Sequence, residues 1–399
     1  MSSAERKQID KLIYCSTVCS EKTYSRLYGN QKEKPLQQAQ KYHLVMLHGL
    51  SIQNEVPVVA VSKIPAKPES GDQFIKGYTE KINNVDIFYL ARKKLPIINS
   101  IQNFLAPFRM LRKLATKQSV LIIDVLNYSF VMAAALVCKI KHCQMIGIVT
   151  DLPSKMSDNP QKIKIMISEY VFKKCNAYVV LTEDINTEIN KWNKPYVVIE
   201  GQVDSNMSNA TNLLDKKYSE KVCLYSGGLN NANGIMNMVK GFQLANIDNA
   251  ELHIYGYGDC AEQIEDISKI DTRIKFLGCK MNNEVVEAQQ KATLLVNPRP
   301  TNQRFVRYSF PSKNMEYMVS GTPMLTTRLP GIPKEYDKYV YYIDDETPEG
   351  ICKALQTCLE KDCGELHQKG LEAKEFVLTN KSDFVQANKV IMLAKRLFQ

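Results

Sequence analysis

Short continuous apolar runs alternate with helix-patterned segments along this chain, and that alternation restricts the fold more than any other feature. Strands are expected at residues 12–17, 56–62, 85–90, 120–125, 145–149, 177–181 and 196–199. Helices are expected between them at 35–47, 96–117, 130–140, 162–174 and 183–191. The first of these opens on a proline, whose fixed φ suits a first helical turn. Ile97, Ile101, Phe104, Phe108 and Leu111 recur at the spacing of one helix face. Residues 20–26 are polar and are expected to form a loop. Strands without polar alternation are covered on both faces, so the pattern calls for a parallel sheet with helices on either side.

Residues 205–220 lack a core pattern, and the alternation then restarts. Strands are expected at 222–225, 251–255, 274–277, 293–296, 324–327 and 340–343, with helices at 234–244, 262–267, 283–291, 346–359 and 382–397. A chain of 399 residues is long enough for two ordinary domains. The expected organisation is an α/β domain over residues 1–204, a linker over 205–220, a second α/β domain over 221–380 and a last helix over 381–399. Ligands of such sheets bind beyond the carboxyl ends of the strands, and a cleft between two such domains is the expected reaction site.

Composition narrows the class. Hydrophobic residues make up 44% and charged residues 24%, as in a globular protein. No apolar run approaches the ~18 residues that a membrane span needs. The first residues are polar and lack a secretory leader pattern. The 11 cysteines are scattered with no Cys-x-x-Cys pair, so they read as buried thiols of a reducing cytoplasm. The five histidines show no metal-ligand spacing. Charge is uneven: residues 1–200 hold 28 Lys and Arg against 17 Asp and Glu, and the remainder 24 against 25. Seven cations and no acid lie between Arg92 and Lys117. This basic stretch reads as a solvated helix face or a membrane-surface helix. No nucleic-acid module accompanies it, so nucleic acid is not an expected partner.

Residues 297–336 carry the densest chemistry. A strand leads into a loop with Arg299, Arg304 and Arg307. Ser312 and Lys313 then open a short helix that contains Glu316, and Ser320-Gly321-Thr322-Pro323 breaks it. Helix-start amides bind phosphate, cations neutralise it, and a carboxylate accepts both hydroxyls of a ribose. The stretch is therefore expected to cradle a nucleotide diphosphate.

This stretch resembles the donor signature of glycosyltransferase family 4, retaining enzymes of the GT-B fold, in the form found in bacterial polysaccharide assembly. The family carries Glu, seven residues, then Glu, followed by a small-residue turn. Glu316 matches the second glutamate and Ser320-Gly321-Thr322-Pro323 the turn, whereas Tyr308 stands where the first glutamate is expected. The resemblance implies two facing doubly wound Rossmann-like domains, with the last helix crossing back to the first. It also implies that Tyr308 lies at the donor sugar, where it can donate a hydrogen bond but carries no charge.

Other motifs fit around this one. Gly227-Gly228 after the first strand of the second domain suits close approach of backbone to a phosphate. Alone it is equally a tight turn. The family's Arg and Lys of this region fall on Gly228 and Asn233, with Gly234 kept, so the cations must come from Arg299, Arg304, Arg307 or Lys313. Gly256 and Gly258 match the family's Gly-x-Gly turn near the donor. In the first domain Asp151 follows a strand, where it could orient an acceptor hydroxyl or simply cap a turn; Asp124 is similar. Residues 200–204 read as a structural turn before the linker.

The expected function is sugar transfer from a nucleotide diphosphate sugar to a saccharide acceptor, with retention. By resemblance the acceptor is lipid-linked and the enzyme sits at the inner membrane face. Donor contacts are expected from Gly227, Gly228, Gly256, Gly258, Arg299, Ser312, Lys313 and Glu316, and catalytic roles for Asp151, Glu316 and Tyr308. Neither cofactor nor metal is expected, since no Asp-x-Asp cluster is present and cations can meet the diphosphate charge. Tyr308 and the missing Arg and Lys keep a second expectation open, a non-catalytic scaffold subunit. An epimerase or phosphorylase on the same fold is a weaker third.

Overall fold

The computed structural model describes residues 8–28, 38–64, 76–91, 96–155, 162–209 and 211–399. Pro35 and the side chains of Ile97 and Ile101 lie outside the described residues. The chain divides into two compact units, residues 1–202 with 382–399, and residues 203–381.

In the first unit the elements run β1 (Lys11–Ser16), α1 (Glu21–Tyr28), α2 (Gln38–Ile52), β2 (Val58–Ser62), β3 (Tyr78–Ile82), β4 (Val85–Tyr89), α3 (Pro96–Leu114), β5 (Ser119–Asp124), α4 (Tyr128–Lys141), β6 (Gln144–Val149), α5 (Lys162–Lys174), β7 (Ala177–Val180), α6 (Glu183–Ile189) and β8 (Tyr196–Val198). One sheet results, ordered β3-β4-β2-β1-β5-β6-β7-β8. Its pairs are parallel except β3 with β4, a hairpin. The central strands are buried along their length, as their continuous apolar runs require.

Two elements depart from expectation. Residues 20–26, expected as a loop, enter helix α1. Ser20 starts it, its Oγ accepting from the Thr23 amide at 2.9 Å. Strand β3 was not expected, because its sequence is polar and half-exposed. Its Glu80 accepts from Ser20 Oγ at 2.8 Å, Thr23 Oγ1 at 2.9 Å and Tyr89 Oη at 3.1 Å, which ties the edge strand to α1 by polar bonds.

In the second unit the elements run β9 (Lys221–Gly228), α7 (Ile235–Leu244), β10 (Ala250–Tyr257), α8 (Ala261–Ile270), β11 (Ile274–Gly278), α9 (Asn282–Lys291), β12 (Leu294–Asn297), α10 (Ser312–Ser320), β13 (Met324–Thr327), β14 (Tyr341–Ile343), α11 (Pro348–Leu359) and α12 (Cys363–Lys381). All six strands pair in parallel, in the order β11-β10-β9-β12-β13-β14. Helix α12 had no expected counterpart.

Residues 205–220, expected as a linker, are packed into this unit. Asn212 is buried and donates to Ser320 O and Thr322 Oγ1, both at 2.9 Å. Lys217 Nζ donates to Gln290 O, Ala292 O and Thr322 Oγ1 at 2.8, 2.9 and 2.9 Å. Three acceptors match the three protons of an ammonium, while burial pulls the Lys217 group down to about 7.

Helix α13 (Asp383–Arg396) belongs to the first unit and packs along α2. The approach is close: a Cβ on Gly49 would lie 2.2 Å from Asp383 O. His48 Nδ1 sits 2.5 Å from the fully buried Asp383 carboxylate. Ala387, Val390, Ile391, Leu393 and Ala394 complete the same core as Leu12, Tyr14 and Ile122.

Candidate functional site

Strand β9 lies between β10 and β12, where the strand order of the second sheet reverses. Ligands of open α/β sheets sit at such a point, beyond the strand ends. The end of β9 is held from two helices. Tyr317 Oη of α10 accepts from the Ser226 amide at 2.9 Å, and buried Gln289 of α9 donates to Ser226 Oγ at 3.0 Å. One strand over, Asn297 Nδ2 at the end of β12 donates to Asn314 Oδ1 of α10 at 2.7 Å. These buried bonds fix the start of α10 against the strand ends.

Helix α10 begins after Pro311, which offers no capping side chain. Asn314 N already bonds Pro311 O, whereas the amides of Ser312 and Lys313 precede the first intrahelical bond. Lys313 turns back across the strand end. Its Nζ donates to Tyr225 Oη at 2.7 Å and lies 4.2 Å from the centre of that ring. Tyr225 Oη in turn donates to Gly228 O at 2.8 Å.

Room for this lysine exists because residue 227 has no side chain. A Cβ there would fall 1.8 Å from Lys313 Nζ and 2.1 Å from its Cε, and the backbone has φ +149°. Burial drives the Lys313 ammonium down to about 8; Glu316 opposes this and Arg299 adds to it. Arg299 also acts on Tyr225, so Lys313, Tyr225, Glu316 and Arg299 form one electrostatic neighbourhood.

The remaining expected residues fall as follows. Gly256 pairs with Gly227 in register, and a Cβ on it would lie 1.8 Å from Gly227 O. A Cβ on Gly258 would lie 2.4 Å from Leu229 O. Both glycines therefore admit the β9 backbone. Ser312 is exposed in the first turn of α10, and Glu316 is half-buried one turn on. Arg299 lies 4.9 Å over the Phe305 ring. Arg304 and Arg307 are exposed, Arg307 lying 5.8 Å over half-buried Tyr308. Asn233 donates to Gly228 O at 2.9 Å. Of the four cations considered in the sequence, Lys313 bonds Tyr225, and Arg299 acts on both Tyr225 and Lys313 electrostatically.

Asp151 lies in the first unit, half-buried after β6. Asp124, at the end of β5, accepts from the Leu126 amide at 3.0 Å and stands 3.6 Å from His43 Nε2, the bonding of a turn cap. Sequence reasoning missed Tyr225, Gln289 and Tyr317. Tyr225 and Tyr317 sit in apolar runs and read as core; no pattern marks their hydroxyls.

Residues 220–361 match the family described as Glycosyl transferases group 1. No curated protein matches the sequence. Solved structures match along nearly the whole chain. Sucrose-phosphate synthase from Thermosynechococcus elongatus superposes with TM-score 0.69 at 14% identity, over 97% of this chain and 99% of that one. The Anabaena HepE protein in complex with UDP gives 0.61 at 12%, over 96% and 98%. An alpha,alpha-trehalose 6-phosphate synthase from Burkholderia multivorans gives 0.64 at 10%, over 98% and 97%. The two parallel-sheet, Rossmann-like units are thus those of the GT-B structures. The matched domain, on this fold, supports a nucleotide-sugar-dependent glycosyltransferase.

Proposed function

We propose that the second unit binds the diphosphate of the sugar donor at the end of β9 and the start of α10. Lys313, lodged on Gly227, is the observation that carries this reading. In this reading Lys313 and Arg299 meet the diphosphate charge, the Ser312 and Lys313 amides bind phosphate oxygens, and Glu316 takes the ribose hydroxyls. Charge builds on the leaving diphosphate, so fixed cations and amides there stabilise the transition state. Transfer proceeds with retention, Tyr308 contacting the donor sugar and Asp151 orienting the acceptor hydroxyl. The acceptor is a lipid-linked saccharide of a cell-surface polysaccharide, reached from the inner face of the membrane. Among the described residues no helix is long and apolar enough to cross a membrane, and exposed Arg109, Arg112 and Lys113 at the end of α3 supply charge for a lipid surface.

The test is thermal stabilisation by a panel of nucleoside diphosphates and their sugars, because a ligand of the native state raises its melting point by mass action. A shift with one base, larger with one of its sugars, is expected. No shift with any would overturn the donor reading. Tyr308 at the place of the first glutamate favours a second reading, a scaffold that binds donor without turnover; single-turnover sugar transfer separates the two.

A further inference from the structure

The loop after β9 carries no cation at Gly228 or Asn233, and Asn233 is committed to the Gly228 carbonyl. The structure delivers a cation to the same spot from another direction. Lys313 comes from α10, its stem running along the missing side chain of Gly227 and its ammonium ending on the Tyr225 hydroxyl. Tyr225 is itself held, its ring in the β9 core and its hydroxyl donating to Gly228 O at 2.8 Å. That donation fixes the proton of the hydroxyl away from Lys313, so the lone pair accepts from the ammonium. An ammonium has three protons, and this bond uses one.

We propose that Tyr225 and Gly227 form a seat that fixes Lys313 as the diphosphate cation of this enzyme, with Tyr225 a positioning residue that itself touches no substrate. The proposal rests on the donor-site reading above. Three observations converge on it: the 2.7 Å bond to the hydroxyl, the ammonium 4.2 Å from the ring centre, and the glycine that only an absent Cβ keeps open. A flexible lysine stem loses its freedom on binding an anion; a seat removes that cost beforehand. The paired glycines thus have a purpose different from the one their sequence suggests. Gly227 admits a lysine, and the lysine meets the phosphate.

The experiment is a double-mutant cycle read by calorimetry with UDP, GDP and ADP, each beside its own nucleoside. Lys313→Met is expected to weaken the diphosphate that binds by about 10- to 100-fold, as for a charge-assisted contact. Tyr225→Phe is expected to weaken it by about 5- to 10-fold, and by nothing further in the Lys313→Met background. The nucleoside should bind all variants alike, which a general structural loss would not allow. Gly227→Ala, a second route to the same state, should equal Lys313→Met and add nothing to it. The pH dependence of diphosphate binding should be present in the wild type and absent in Lys313→Met. Equal loss from Tyr225→Phe in both backgrounds, or none in the wild type, would overturn the seat while leaving the donor site standing. Diphosphate binding that ignores Lys313→Met would do the same. No binding of any diphosphate by the wild type would overturn the donor reading and the seat with it.

Discussion

Lys313 and Tyr225 lie 88 residues apart in sequence, and the ammonium of one donates to the hydroxyl of the other at 2.7 Å. The bond joins the first turn of α10 to the end of β9, the two elements that the donor diphosphate would touch.

A pH dependence follows from that burial. Burial brings Lys313 to about 8, against 10.5 for an ordinary lysine. Diphosphate binding favours the ammonium, so affinity should be full below pH 8 and fall as pH rises through 8 to 9. Binding above pH 8 should take up a proton, seen as a buffer-dependent heat. Without ligand the sign reverses: the unfolded lysine holds its proton to higher pH, so this group adds stability as pH rises from 8 to 10.5. A flat affinity between pH 7 and 9 would remove Lys313 from the contact.

Glu316→Ala should lower sugar transfer by about two orders of magnitude, the ~2–3 kcal/mol of a lost bond to a charged group. Its half-buried place on α10 makes the cost to folding small. Turnover and a melting curve on the same sample check both halves; near-normal transfer would take Glu316 out of the donor site.

Gly49→Ala tests the contact of α13 with α2. In an open helix this change would stabilise by up to ~1 kcal/mol. Here the new methyl would sit 2.2 Å from Asp383 O, a backbone atom that cannot swing aside. The clash should win and cost about 2–3 kcal/mol, measured by chemical denaturation. A stabilised variant would show that the two helices part more easily than their packing indicates.

Replacing Arg109, Arg112 and Lys113 together with Glu should release the protein from vesicles of anionic lipid. Each cation near such a surface contributes about 1 kcal/mol, so three reversals suffice to abolish co-sedimentation. Undiminished co-sedimentation would argue against a lipid surface at the end of α3.

The alternation of apolar strands and helices made both sheets legible, because a core strand advertises itself by having no polar face. What stayed hidden was buried polarity. Asn212 and Lys217 look like linker residues, yet each donates to neighbours such as Thr322 that lie over a hundred residues on in sequence. Glu80 likewise holds an edge strand whose sequence has no core pattern. At the candidate site, Glu316, Lys313 and Arg299 stand together in one short stretch, and its resemblance to a family signature is what singles them out in the sequence. Tyr225 is not singled out, because its hydroxyl matters only once α10 is folded back over β9. The sequence suggests room for a phosphate at Gly227, and the neighbour there is a lysine.

The placement of α13 also bears on the order in which the chain is made. The second unit is contiguous, residues 203–381, and has all its parts once Lys381 has left the ribosome. The first unit, though begun earlier, keeps an open groove along α2 until Ala387, Val390 and Ile391 emerge. The nascent chain therefore finishes its later unit first. Until then the apolar floor of the earlier one stays exposed to chaperones and to misassociation.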